Sequence, residues 1–377
     1  MQPNRLPWLR FPLMLAVAAT LLVGMWAGLL RLGWNIPGYQ PGWAGNHGPL
    51  MVSGVLGTLI CLERAVALAA GFKLRAAFLV PALTGIGGLL LLADVPGAPP
   101  RIFITLGSFG LVAIFAFILS RQKANFTVVM ALGAIAWAIG NLLWLAGQPV
   151  FNIVYWWAAF LVLTIVGERL ELARVARLTV WRQRLFMLAV GVFLTGVVLT
   201  VVNLDIGSRL AGLGSILLAG WLARYDIARL TIRRAGLPRY IAACLLIGYG
   251  WLAVSGVISI HFGALYAGPT YDGFLHALFL GFVFSMIFGH MPIILPAITG
   301  QSVAYIPAFY LHLALLHGSL AVRVFADFSQ QHALRQWGGL FNVTAVLLFV
   351  ALTAFGLVTA RRQARATTPV AAATGRS

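Results

Sequence analysis

The chain has 377 residues, of which 61% are hydrophobic and only 9% charged, and its mean hydropathy is +0.95. A soluble domain carries roughly a quarter charged residues, so a water-soluble core is excluded and lipid is the expected solvent and partner. The net charge of +18 would by itself suit nucleic acid, but the basic residues sit in short gaps between apolar runs, which is topology information and excludes that partner.

A membrane-crossing helix needs about 20 apolar residues. In chain order such runs fall at 11–31, 47–70, 76–93, 102–120, 125–146, 150–168, 185–203, 207–224, 239–261, 272–296, 305–326 and 338–360. The expected fold class is therefore an all-α, polytopic bundle of twelve transmembrane helices forming one domain over residues 1–360. Residues 361–377 read as a disordered cytoplasmic tail, polar and rich in Ala and Thr. With the N-terminus inside, 21 of the 26 Lys and Arg lie on the cytoplasmic side. These run from Arg5 and Arg10 through Arg64, Lys73, Arg75, Arg121, Lys123, the stretches Arg169 to Arg184 and Arg224 to Arg239, to Arg361, Arg362, Arg365 and Arg376. Only Arg31, Arg101, Arg209, Arg323 and Arg335 fall outside, so both termini are expected in the cytoplasm. Cys61 and Cys244 lie inside apolar runs with no CxxC spacing and read as small buried hydrophobes.

Spans 2 and 6 end alike, in Leu62-Glu63-Arg64 and Gly167-Glu168-Arg169, and span 10 places His290 at the matching depth. A spacing of four spans, seen twice, suggests three pseudo-symmetric four-helix arcs with spans 2, 6 and 10 innermost. Ionisable residues within a membrane are costly and mark candidate sites. His47 opens span 2 and His276 lies one turn into span 10, both at the outer face, with His261 closing span 9 nearby. His290, His312 and His317 form an expected inner group able to ligate a metal, since imidazole suits haem iron and copper. Glu63, Arg64, Glu168 and Arg169 are expected to form crossed ion pairs at the cytoplasmic rim, with a proton path to His290 as the functional alternative. Pro292 and Pro296 are expected to interrupt span 10. Arg323 and Arg335 flank the last outer loop, where Arg pairs well with carboxylates such as haem propionates.

The segment His47-Gly48-Pro49-Leu50-Met51 resembles the opening of the second helix in the haem–copper oxidase superfamily. The stretch His276-Ala277-Leu278 through Gly281-Phe282, with Met286 to Gly300, is similar to the NnrS-type branch of bacterial membrane proteins. The resemblance implies a low-spin haem held by His47 and His276, copper as a second cofactor, a role in redox or nitric oxide chemistry, and a bacterial inner-membrane location. Spans 6 and 7 contain no histidine, and Phe274 stands where a paired ligand would be, so an oxygen-reducing haem–copper centre is not expected. The chain has no CxxCH, and any electron donor is expected to be a separate protein. The rival expectation is a secondary transporter with a histidine-lined site beside a broken tenth helix; a third is a scaffold without chemistry.

Overall fold

The computed structural model describes residues 7–174 and 178–367, so Arg5, Arg177 and Arg376 lie outside the described residues. Among these there is no strand, and twelve helices are long and apolar enough to cross a membrane. They are span 1 (Pro7–Arg31), span 2 (Trp43–Phe72), span 3 (Arg75–Leu92), span 4 (Pro99–Arg121), span 5 (Asn125–Leu145) and span 6 (Val150–Ala173). The second half is span 7 (Val180–Leu199), span 8 (Leu204–Tyr225), span 9 (Leu237–Phe262), span 10 (Gly268–Thr299), span 11 (Phe309–Ser329) and span 12 (His332–Thr367). The protein is an all-α membrane bundle.

Helix ends follow capping rather than hydropathy. Span 7 starts five residues earlier than its apolar run because the Thr179 hydroxyl accepts from the Arg182 N–H (3.4 Å). Span 8 starts early for the same reason, with Asn203 Oδ1 accepting from Ile206 N–H (3.0 Å). At the C-terminal end, span 12 continues to Thr367, so the first part of the expected disordered tail is helical. Ala and Arg are good helix formers and simply extend the ladder; residues 368–377 lie outside the described residues.

Span 6 occupies the centre. Its most apolar window is 78% buried, against 28% for span 12 and 33% for spans 1 and 7. Trp157 and Phe160 are fully enclosed, as is Trp137 of the neighbouring span 5. A lipid-facing helix leaves its outer stripe apolar and exposed, whereas a central one is covered on all sides.

Span 10 is not broken. The backbone stays helical through Pro292 and Pro296 to Thr299. Proline at 292 removes the N–H that would bond the Phe288 carbonyl, and the Tyr240 hydroxyl of span 9 reaches that carbonyl instead (3.4 Å). Neighbouring side chains can re-satisfy carbonyls freed by proline within a membrane, which is how such a helix continues.

Two spans depart from the α ladder in the same way. Span 2 is a π-helix over Leu50–Gly57, and span 10 is a π-helix over Ala277–Phe284. Each π segment presents a glycine to an indole: a Cβ on Gly57 would meet the Trp137 ring at 2.4 Å, and one on Gly281 the Trp251 ring at 2.4 Å. Such π segments are rare and favour functional sites. Here each follows directly on the turn that carries an outer histidine.

Candidate functional site

The short α-helical start of span 2, Trp43–Pro49, carries His47, and the first turns of span 10, Gly268–His276, end on His276. The two imidazoles face each other, with ring centres 6.3 Å apart and planes within 17° of parallel. His47 Nδ1 lies 2.7 Å from the Gly24 carbonyl of span 1. His276 Nδ1 lies 2.8 Å from the Asp272 carbonyl one turn earlier. A ring nitrogen against a carbonyl oxygen must be the protonated one, so both rings carry the proton on Nδ1 and leave the Nε2 lone pair free. Neither Nε2 has a hydrogen-bond partner among the described residues.

Both rings line one cavity of about 330 Å³. Its walls come from spans 1, 2, 6, 10, 11 and 12, and from Tyr266 and Ala267 in the loop that leads into span 10. Most of that lining is apolar, including Leu56, Phe151, Val154, Phe279, Phe284 and Val346. Gly28 faces the His47 ring so closely that a Cβ there would lie 2.9 Å from Cε1. His261 is exposed and does not line the cavity.

The charges at the His47 end of the bundle are arranged around Asp272. Arg323 donates to both of its carboxylate oxygens, at 2.8 and 3.1 Å from one terminal nitrogen and 3.0 Å from Nε. Arg335 lies 3.5 Å from Asp272 and 2.7 Å from Asp327. The two arginines expected to meet a cofactor's carboxylates are therefore each tied to an aspartate, and Asp272 in turn sits 3.3 Å from His276 Nδ1. Arg31 also lines the cavity, and no carboxylate lies within ion-pair distance of it among the described residues; its guanidinium donates only to the Ala44 carbonyl (3.2 Å).

The opposite end of spans 2, 6 and 10 is also polar, and differently built. Arg64 donates to Glu168 across spans 2 and 6, and lies 3.7 Å from Glu63. The matching pair does not cross back. Arg169 forms two parallel bonds of 2.7 Å to Asp226, just beyond span 8, with both side chains buried. Asp226 is fixed by also accepting from Ala228 N–H (2.7 Å), which presents both oxygens to the planar guanidinium fork. His290 Nδ1 donates to the Met286 carbonyl (2.7 Å) and its Nε2 faces Arg169 (3.3 Å).

The expected inner histidine group does not assemble. His312 is fully buried, with Nε2 2.8 Å from the Tyr240 hydroxyl and Phe288, Phe309 and Phe349 around it. His317 accepts from Trp251 Nε1 (2.9 Å) and reaches Ser285 Oγ (3.2 Å). Spans 9, 10 and 11 thus give each histidine its own partners. Among the described residues no group of three or more His, Cys, Asp or Glu side chains is arranged to hold a metal ion.

Sequence reasoning passed over Arg31, Asp272, Asp327 and Asp226. The signal was present: the chain has only 8 Asp and Glu, and Asp272 and Asp327 lie one helical turn from His276 and Arg323 respectively. An acid that rare, placed in an apolar run, is itself a marker.

Comparison with curated proteins finds no match to the chain. Residues 10–358, covering all but the ends of the bundle, match the family described as Domain of unknown function (DUF8744), and the chain belongs to that family.

Proposed function

We propose that the cavity beside His47 and His276 is a haem site, that these two histidines would hold the iron, and that the protein serves electron transfer in the bilayer. The single observation that carries this is the facing imidazole pair. Metal–imidazole bonds of about 2.0–2.1 Å on either side of one metal atom place ring centres roughly 6 Å apart, and the observed separation is 6.3 Å. Both Nδ1–H groups are bonded to carbonyl oxygens, the arrangement that fixes the tautomer of a ligating histidine and raises its basicity.

When bound, haem supplies a one-electron couple within the membrane. The chain's own residues do the rest. His47 and His276 present two neutral nitrogens from different helices. Gly28 keeps the His47 ring in place by leaving it room. Phe279, Phe284 and Leu56 keep water out, and Arg31 offers an unneutralised cation to a cofactor carboxylate. The reading places the site at the outer face of a bacterial inner membrane, with both termini inside and a separate protein as electron donor. The nitrogen-oxide role follows from the family resemblance.

The test is an absorption spectrum of the full chain purified from haem-replete cells. A Soret band that is lost in His47→Ala and in His276→Ala supports the proposal. A colourless, well-folded wild-type protein overturns it.

A further inference from the structure

The helical start of span 2, Trp43–Pro49, packs against spans 1 and 3 and buries Trp43 and Pro49, but cavities border it on two sides. On one face lies the histidine cavity. On the other lies a second, more polar cavity of about 460 Å³, which includes Asp94, Arg101 and Gln148 in its lining. Gly45, Pro49 and Val150 border both. A helix with empty space on two sides is not fixed by packing alone. Hydrogen bonds add to the packing: Arg31 reaches the Ala44 carbonyl and His47 itself the Gly24 carbonyl, both from the span 1 side.

Asp94, two residues beyond span 3, holds the opposite side. Its Oδ2 accepts from Gly42 N–H (2.9 Å), immediately before the helix, and its Oδ1 accepts from Asn46 Nδ2 (3.3 Å), the residue next to His47. Trp43 Nε1 adds a third tie, to the Leu92 carbonyl (2.8 Å). Two details show how closely this is built. Asp94 itself sits in the left-handed region, with φ +53°, where Gly, Asn and Asp are the residues most readily accommodated. A Cβ at residue 42 would lie 2.0 Å from Asp94 Oδ1, so any residue larger than glycine must push that carboxylate away.

We infer that Asp94 is a positioning residue for the haem ligand His47, acting through Gly42 and Asn46 and touching neither the ring nor the cavity that holds it. The inference rests on the haem reading above. Releasing the tie should let His47 leave the iron while His276 stays, opening one axial position.

Carbon monoxide binding to the reduced, full-length protein reads this directly, since it requires an open position. Asp94→Gly keeps a residue suited to a left-handed φ and removes the carboxylate. Gly42→Ala breaks the same contact from the other side. Both are expected to raise the carbon-monoxide-binding fraction severalfold above wild type, with haem still present. Asp94→Asn, whose amide oxygen can accept from Gly42 and whose side chain tolerates the same backbone, is expected to stay close to wild type. Unchanged binding and spectra in both Asp94→Gly and Gly42→Ala, on a wild-type protein that does contain haem, overturn the positioning role alone. A wild-type protein with no Soret band overturns the haem reading and this inference with it.

Discussion

The two ends of spans 2, 6 and 10 use similar residue types for opposite purposes. At the outer end, His47 and His276 have one nitrogen satisfied and the other free, and they border open space. At the opposite end, Arg64 pairs with Glu168, and Arg169 with Asp226 and His290, with Arg169 and Asp226 almost completely enclosed. A charge buried in a membrane must find its partner within the protein. When it does, the result is a clasp between helices. When a polar atom is left facing a cavity, it is available to a ligand. Composition does not separate these cases; satisfaction does.

Substitutions can break that contrast. The largest effect is expected at the inner clasp. Asp226→Ala leaves the Arg169 guanidinium buried without its partner, and removing one member of a buried pair costs about 3–5 kcal/mol. Unfolding in detergent should show that loss, while the content of the proposed haem per folded protein stays at the wild-type level. A fall in haem content without a fall in stability would mean the two ends are not separate. Next comes Gly28→Val, which drives a side chain into the space 2.9 Å from the His47 ring. Disturbing a ligand's supporting shell typically costs about 10–100-fold in affinity, so haem retention on dilution should drop by that order with little change in the unfolding midpoint.

Tyr240→Phe removes the hydroxyl that meets both His312 and the Phe288 carbonyl. Leaving a buried polar group without its partner costs about 1–3 kcal/mol, to be read in unfolding with an unaltered spectrum; an altered spectrum would tie His312 to the cofactor. The smallest effect is expected at Glu63→Gln. Among the described residues the only Lys or Arg within ion-pair distance of Glu63 is Arg64, at 3.7 Å, and that group already donates to Glu168. Stability should stay within about 0.5 kcal/mol of wild type. A larger loss would place Glu63 inside the clasp rather than at its edge.

Much of the fold was legible because a membrane imposes a single rule on every span. Twelve apolar runs became twelve helices, and the meetings of Arg64 with Glu168 and of Arg169 with His290, from spans 2, 6 and 10, follow from their matched depth. The site was legible only in part. Depth along a helix is a property of sequence, and it placed His47 and His276 at the same level. Direction around a helix depends on neighbours. His312 and His317 have the depth of an inner site, yet Tyr240 and Trp251 of span 9 take each of them separately. Arg323 and Arg335 lie at the same end of the bundle as His276, but their ties to Asp272 and Asp327 depend on which faces of spans 10, 11 and 12 meet.

By itself, then, the sequence determined that the protein lives in lipid, how many times it crosses and at what level each ionisable group sits, because transfer of apolar and charged groups into lipid depends on local composition. Only the tertiary structure decided which groups are satisfied. It carried span 10 through two prolines with a hydroxyl from span 9, turned Arg169 to Asp226 instead of Glu63, and wound π segments beside both outer histidines. The reason is that a hydrogen bond needs a partner at a given distance and angle, and those partners come from helices far apart in the chain.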